Sequence, residues 1–146
     1  MKLQLTAVSL THGNGHVALR DIGLHIEAGE QVAIIGPSGA GKTSLLRLLA
    51  TSLQPSAGTV TVLDSNPWQL SSRALQKLRT QIGLIHQTPP LPPRQRVVTA
   101  VLAGRLPQWS LGRSLASLWR ASEPEIAAAA LARFSLDDRL WSRVDR

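Results

Sequence analysis

The chain has no cysteine and no tyrosine, and only one phenylalanine, so that with four tryptophans its aromatic content is 3% of 146 residues. Without thiols it can have no disulfide framework, thiolate zinc site or cysteine nucleophile. Scarce aromatics leave little surface for stacking unpaired bases, although Trp109 and Trp119 fall in the most basic stretch. Long apolar runs are missing as well. None approaches the roughly 18 residues that a membrane helix needs. The opening Met1-Lys2-Leu3-Gln4-Leu5-Thr6 alternates in polarity and is not expected to be a signal peptide. Any membrane association is therefore expected to be peripheral. Acidic residues are absent from one long stretch: residues 65–122 hold eight Arg or Lys and no Asp or Glu, so most of the net charge of +7 lies in the second part of the chain. Such a block suits RNA, DNA, an anionic membrane surface or an acidic partner, or else is the solvated face of a piece whose acidic half lies elsewhere.

What is present suits one modest domain or part of a larger one, since 43% apolar residues can build a core. Leu3 to Val8 alternates like a half-buried strand, and so does Ile22-Gly23-Leu24-His25-Ile26. Between them, His12-Gly13-Asn14-Gly15-His16 is a turn signal. Ala28-Gly29-Glu30 leads into Gln31-Val32-Ala33-Ile34-Ile35, an apolar run that predicts a buried strand, and Ile82-Gly83-Leu84-Ile85-His86 predicts another, ending at Gln87. Leu45, Leu46, Leu48 and Leu49 place an apolar stripe on a helix that should stop near Leu53, before Pro55. Thr59-Val60-Thr61-Val62 is strand-like, and Ser71 or Ser72 can cap a short helix holding Leu75 and Leu78. After the stiff Pro89, Pro90, Pro92, Pro93 segment the pattern turns helical: Val97 to Gly104, Leu115 to Trp119, and Glu125 to Phe134 behind Pro124. Two parts are expected, residues 1–88 and residues 89–146.

Gly36-Pro37-Ser38-Gly39-Ala40-Gly41-Lys42-Thr43 lies between a predicted strand and a predicted amphipathic helix, the context in which a phosphate-binding loop works. Glycines at 36, 39 and 41 let backbone N–H groups converge on phosphate oxygens without Cβ clashes. The helix that begins there adds unpaired N–H groups and the positive end of its dipole. Lys42 supplies a point charge to the β- and γ-phosphates, and the Thr43 hydroxyl can ligate Mg²⁺. The reading is a nucleotide-phosphate site made by residues 36 to 44, with Ser44 directly behind the threonine; the loop alone does not choose between an ATPase, a GTPase and a kinase, and the residues around it point to MgATP.

The run from Glu27 through Gly36-Pro37-Ser38-Gly39-Ala40-Gly41-Lys42-Thr43-Ser44 to Leu46 resembles the ATP-binding subunits of ABC transporters. Pro55-Ser56-Ala57-Gly58-Thr59-Val60 and Ile82-Gly83-Leu84-Ile85-His86-Gln87 resemble the same family. Ser9 to Gly15, Thr99 to Leu106 and Arg113 to Trp119 look most like its phosphonate-importer branch. The resemblance implies an α/β P-loop nucleotide-binding domain of ABC type, present in part, with an antiparallel β subdomain and the start of a helical subdomain. It implies that Gln87 is the Q-loop glutamine, meeting Mg²⁺ and the attacking water and sensing the membrane subunit. It places His12 where the family usually has an aromatic residue, often Tyr, stacked on adenine; an imidazole stacks with less area. His16, His25 and His86 show no ligand spacing and read as structural.

The chain reaches Val144-Asp145-Arg146 where the family would continue into its signature motif, and the resemblance implies that the acidic metal-binding strand, the catalytic glutamate and the switch histidine would follow. In the family that acidic strand lies beside the strand containing Ile34, so the 146-residue chain alone is expected to be marginal or prone to aggregate. The implied function is ATP binding, and hydrolysis in the complete subunit, energising an importer of phosphonates or a related small oxyanion. The implied partners are transmembrane permease subunits, a second ATP-binding subunit and, indirectly, a periplasmic or extracellular substrate-binding protein. The implied location is the cytoplasmic face of the inner membrane, with no nucleic acid expected. The alternatives are a non-catalytic nucleotide-binding or interaction module, and a P-loop ATPase acting on nucleic acid.

Overall fold

A computed structural model describes residues 2–88, 91–92, 94–106, 112 and 124–144. The chain divides into two units, Met1–Leu84 and Ile85–Arg146.

In the first unit, strands β1 (Leu3–Thr11), β2 (Val17–Ile26) and β3 (Ala57–Val62) form an antiparallel sheet in the order β2-β1-β3. Leu5 faces both Leu24 and Val60, and Leu3 faces both Ile26 and Val62, so apolar cross-strand pairs fix the register on one face. A strict alternation from Leu5 would bury residue 7 and expose residue 8. Instead Leu5, Val8 and Leu10 are buried. The register shifts between Leu5 and Val8, where Ala7 takes a φ of 49°, and this extra residue turns Val8 back onto the core face. A second shift lies between Val8 and Leu10, where β2 carries the extra residue and Asp21 has a φ of 50°. There the Asp21 N–H donates to the Ser9 hydroxyl at 3.0 Å. These two bulges, one on each strand, restore the original pairing at Leu10 and Leu19, and a third shift follows between Leu10 and Thr11.

Opposite the first bulge stands Gly58, at a φ of 84°. A Cβ there would lie 2.3 Å from the carbonyl oxygen of Ala7 and 2.6 Å from that of Thr6. Gly58→Ala is therefore expected to cost about 2–4 kcal/mol, from left-handed backbone strain plus a backbone collision. A urea unfolding midpoint equal to that of the parent chain would show that the strands do not approach so closely.

Helix α1 (Lys42–Leu49) packs its Leu48 and Leu49 against Leu5, Val8, Leu10, Leu19, Val60 and Val62, with Leu45, Leu53 and Trp68 at the rim. It ends in a tight cap: the Ser52 N–H donates to the Arg47 carbonyl at 2.8 Å and the Thr51 N–H to that of Leu48 at 2.9 Å. This asks for a left-handed residue at position 51, usually glycine. Here it is the β-branched Thr51, buried at 1% exposure with a φ of 59°. Helix α2 (Ser72–Arg79) holds it in place: Arg79 Nε donates to Thr51 Oγ1 at 3.1 Å and Nη2 to the Thr51 carbonyl at 2.7 Å. Arg79→Ala leaves both oxygens without these donors. A loss of about 1–3 kcal/mol is expected in a thermal melt, with Arg79→Lys recovering part of it; a melt unchanged by the alanine would rule the clasp out. Ser71 caps α2 through the Ala74 N–H, as the sequence predicted.

The predicted strands at 31–35 and 82–86 do not form; both segments are irregular. Extended backbone becomes a strand only when its N–H and C=O groups find a ladder, and among the described residues neither segment has one. Ile35 is 93% exposed and Ile85 98% exposed, against the expected burial. Near the first segment, a His25 ring nitrogen bonds the Glu27 carboxylate and holds that carboxyl below its ordinary range.

In the second unit, α3 (Val97–Ala103) and α4 (Pro124–Ala132) close around Val98, Leu102 and Ala127, with Leu140 alongside. The fully buried Ala127 has no bulk to separate the helices. Arg96 caps α3 without a side-chain bond, and the Val97 and Val98 N–H groups instead donate to the carbonyls of Ser142 and Leu140. The predicted helix from Leu115 to Trp119 lies outside the described residues. No helix among the described residues is long and apolar enough to cross a membrane.

Candidate functional site

The loop before α1 runs from Gly36 to Gly41, and its residues 36–40 are exposed. Gly39 and Gly41 have φ values of 81° and 84°, the left-handed region that glycine enters without strain. Gly36 is different. Its backbone is not left-handed, and a Cβ there would meet Ala40 Cβ at an ordinary 3.5 Å. Gly41 carries a steric demand that the motif itself does not reveal: a Cβ would lie 2.3 Å from the Ala18 carbonyl oxygen and 3.0 Å from Leu19 Cδ2. Strand β2 thus fixes where α1 begins.

Gly41 is the N-cap of α1 and offers no side chain to its first turn. The Leu45 N–H donates to the Gly41 carbonyl at 2.8 Å, but among the described residues no carbonyl takes the N–H groups of Lys42, Thr43 or Ser44. These donors and the positive end of the helix dipole face the loop. Lys42 Nζ donates to the carbonyls of Gly36 at 2.8 Å and Pro37 at 2.6 Å, so the ammonium folds back over the loop. The Ala40 N–H donates to the Pro37 carbonyl at 3.3 Å, closing the bend around Ser38 and Gly39. Converging N–H donors, one fixed cation and a backbone without obstructing Cβ atoms can hold the oxygens of a polyphosphate. The Thr43 side chain is exposed at the same helix end, available to a cation beside those oxygens.

Of the remaining expected residues, His12 and Ser44 are brought together, with His12 Nε2 3.2 Å from Ser44 Oγ. Gln87 is exposed and belongs to the second unit. The Arg79 clasp on the far end of α1 escaped the sequence reading, because nothing local marks two residues 28 positions apart as partners.

Among curated proteins, the chain is 61% identical over 98% of its length to the phosphonates import ATP-binding protein PhnC 1 of Pseudomonas syringae pv. tomato. It is 59% identical over 98% of its length to PhnC of Pseudomonas fluorescens and 58% identical over its full length to PhnC 2 of Pseudomonas aeruginosa. It covers 54%, 54% and 55% of those proteins, and so spans about half the length of the curated relatives it matches. Among solved structures, the ATP-binding cassette MJ0796, a dimer in a post-hydrolysis state bound to ADP and Pi, aligns with a TM-score of 0.78 at 24% identity. That alignment covers 98% of this chain and 62% of the other, and supports a shared fold. The family model described as ABC transporter matches residues 19–146, which include the loop from Gly36 to Gly41 and α1, β3, α3 and α4; the chain belongs to the ABC transporter family.

Proposed function

We propose that this chain binds MgATP and forms the nucleotide-binding part of a longer subunit that energises import of phosphonates or a related small oxyanion. The observation that carries the reading is the start of α1, where Lys42, the left-handed Gly39 and Gly41 and the N–H groups of Lys42, Thr43 and Ser44 converge. A triphosphate fits this donor set: Lys42 would hold the β- and γ-phosphates, and Thr43 with Gln87 would hold Mg²⁺. ATP supplies the transferable phosphoryl group. This chain's own residues orient the phosphates, neutralise their charge and support the helix end beneath them. His12 would lie against the adenine.

The kinship with phosphonate-import proteins supports the substrate class and the partners: transmembrane permease subunits, a second ATP-binding subunit, and a substrate-binding protein reached through the permease. Such a subunit works peripherally at the cytoplasmic face of the membrane. Saturable binding of a fluorescent ATP analogue that weakens when Mg²⁺ is chelated, together with co-purification with the permease subunits, is the expected result. Failure to bind the analogue would end the nucleotide reading. Binding with no association to the permease would favour a free-standing nucleotide-binding module.

A further inference from the structure

We propose that Arg96 and Arg143 form a docking point for an acidic segment of a partner protein, with one carboxylate held between the two guanidinium groups. The inference is independent of the phosphate loop and concerns the second unit alone. Arg96 precedes α3 and Arg143 follows α4, and the two are antiparallel partners in a short bridge. The Val97 N–H donates to the Ser142 carbonyl at 2.9 Å, and the Val144 N–H to the Gln95 carbonyl at 3.0 Å. These bonds lie on either side of the arginines, which are therefore a non-hydrogen-bonded pair. In such a pair the Cα atoms are about 4.5 Å apart, and the side chains leave the same face at their closest cross-strand approach. The backbone thus sets two exposed positive charges side by side.

Like charges directly opposite each other destabilise a strand pair, so this bridge is weaker alone than with an anion between the arginines. Among the described residues no carboxylate supplies one. Asp138 is engaged by Arg139, whose Nε lies 3.3 Å from it, and the exposed Arg94 adds a third cation two residues before Arg96. The number and kind of cations choose the ligand. Residues 85–146 contain arginine but no lysine, and a planar guanidinium meets an oxyanion with two parallel N–H bonds. An anionic membrane is recognised by clusters of about 4–8 cations, and a nucleic acid by a longer track. A facing pair with one neighbour suits a single carboxylate. Trp141, two residues before Arg143, is 57% exposed, and tryptophan and arginine are the side chains that most often anchor a protein partner. A glutamate or aspartate flanked by an apolar residue would engage both.

The test is fluorescence anisotropy of the purified chain with a labelled glutamate-rich peptide and its glutamine counterpart. The parent chain is expected to bind the glutamate peptide about tenfold more tightly. The double variant Arg96→Gln, Arg143→Gln should lose that preference. Arg143→Glu supplies the carboxylate from within the chain. It should abolish the preference and raise the Tm by about 3 °C, because a repulsive pair becomes an ion pair. Equal affinity of the parent chain for the two peptides overturns the proposal, as does a double variant that keeps the preference. A lower Tm for Arg143→Glu would also overturn it, since the two side chains would then not face each other. Phosphatidylserine vesicles are the competing probe: if the arginines are needed for vesicle binding and not for the peptide preference, the pair serves a membrane surface instead. Lys42→Ala should leave all of these results unchanged, so this inference and the nucleotide reading stand or fall separately.

Discussion

Lys42→Ala should weaken MgATP binding by about two orders of magnitude, from the loss of roughly 3 kcal/mol of charge-assisted hydrogen bonding. The lysine is the first residue of α1, and its ammonium reaches back 2.8 and 2.6 Å to the carbonyls of Gly36 and Pro37. That places a full positive charge beside the N–H groups of the first helical turn, so an anion there meets both the cation and the helix dipole. Little of the fold depends on the side chain, because the carbonyls it touches are exposed and water can replace it. The expected pattern is lost affinity with a nearly unchanged thermal melt. Lys42→Arg should recover part of the affinity at most, since a planar fork does not occupy the space of a compact point charge. If Lys42→Ala binds MgATP within twofold of the parent chain, the phosphates do not sit on this loop.

Gly41→Ala should act on stability and binding together. The methyl group would enter at a φ of 84° and at 2.3 Å from the Ala18 carbonyl oxygen. Strain of this backbone type costs about 1–3 kcal/mol, and the backbone collision adds to it, so a fall in Tm of about 10 °C is expected. Relief requires β2 or the start of α1 to move, and either shift displaces Lys42. Gly39→Ala is the informative comparison. Position 39 has nearly the same backbone, with a φ of 81°, but open space around it. It pays the conformational cost alone. Two variants with the same melting temperature would mean that β2 does not press on the helix start.

The sequence carried the local decisions well. The alternation of Leu3 and Leu5, the cap at Ser71, the stripe of Leu45, Leu48 and Leu49 and the turn ahead of α1 depend on residues close together in the chain, and each stands where it was read, while Leu46, read into the same stripe, is 46% exposed. What was not legible depends on partners distant in sequence. The runs at 31–35 and 82–86 have the composition of buried strands, yet a strand is a property of two segments, and no described segment pairs with either. The bulge at Ala7 was hidden because Thr6-Ala7-Val8 still looks like a continuing strand. Only the burial of Val8 shows that the phase has changed. At the site, the motif read Gly41 as making room for phosphate. It left unread that the Ala18 carbonyl stands behind that glycine, or that the two histidines of the turn lie nearly parallel.

The bulges tie strand length to a single glycine. The extra residue near Ala7 turns β1 over by one position, the extra residue near Asp21 turns β2 over to match, and Gly58 on β3 leaves room for the first. A chain one residue shorter at Ala7 would carry Leu3, Leu5, Val8 and Leu10 in plain alternation on the core face, with no bulge for Gly58 to make room for. Residue 58 could then leave the left-handed region and carry a side chain. The length of β1 and the identity of residue 58 should therefore change together.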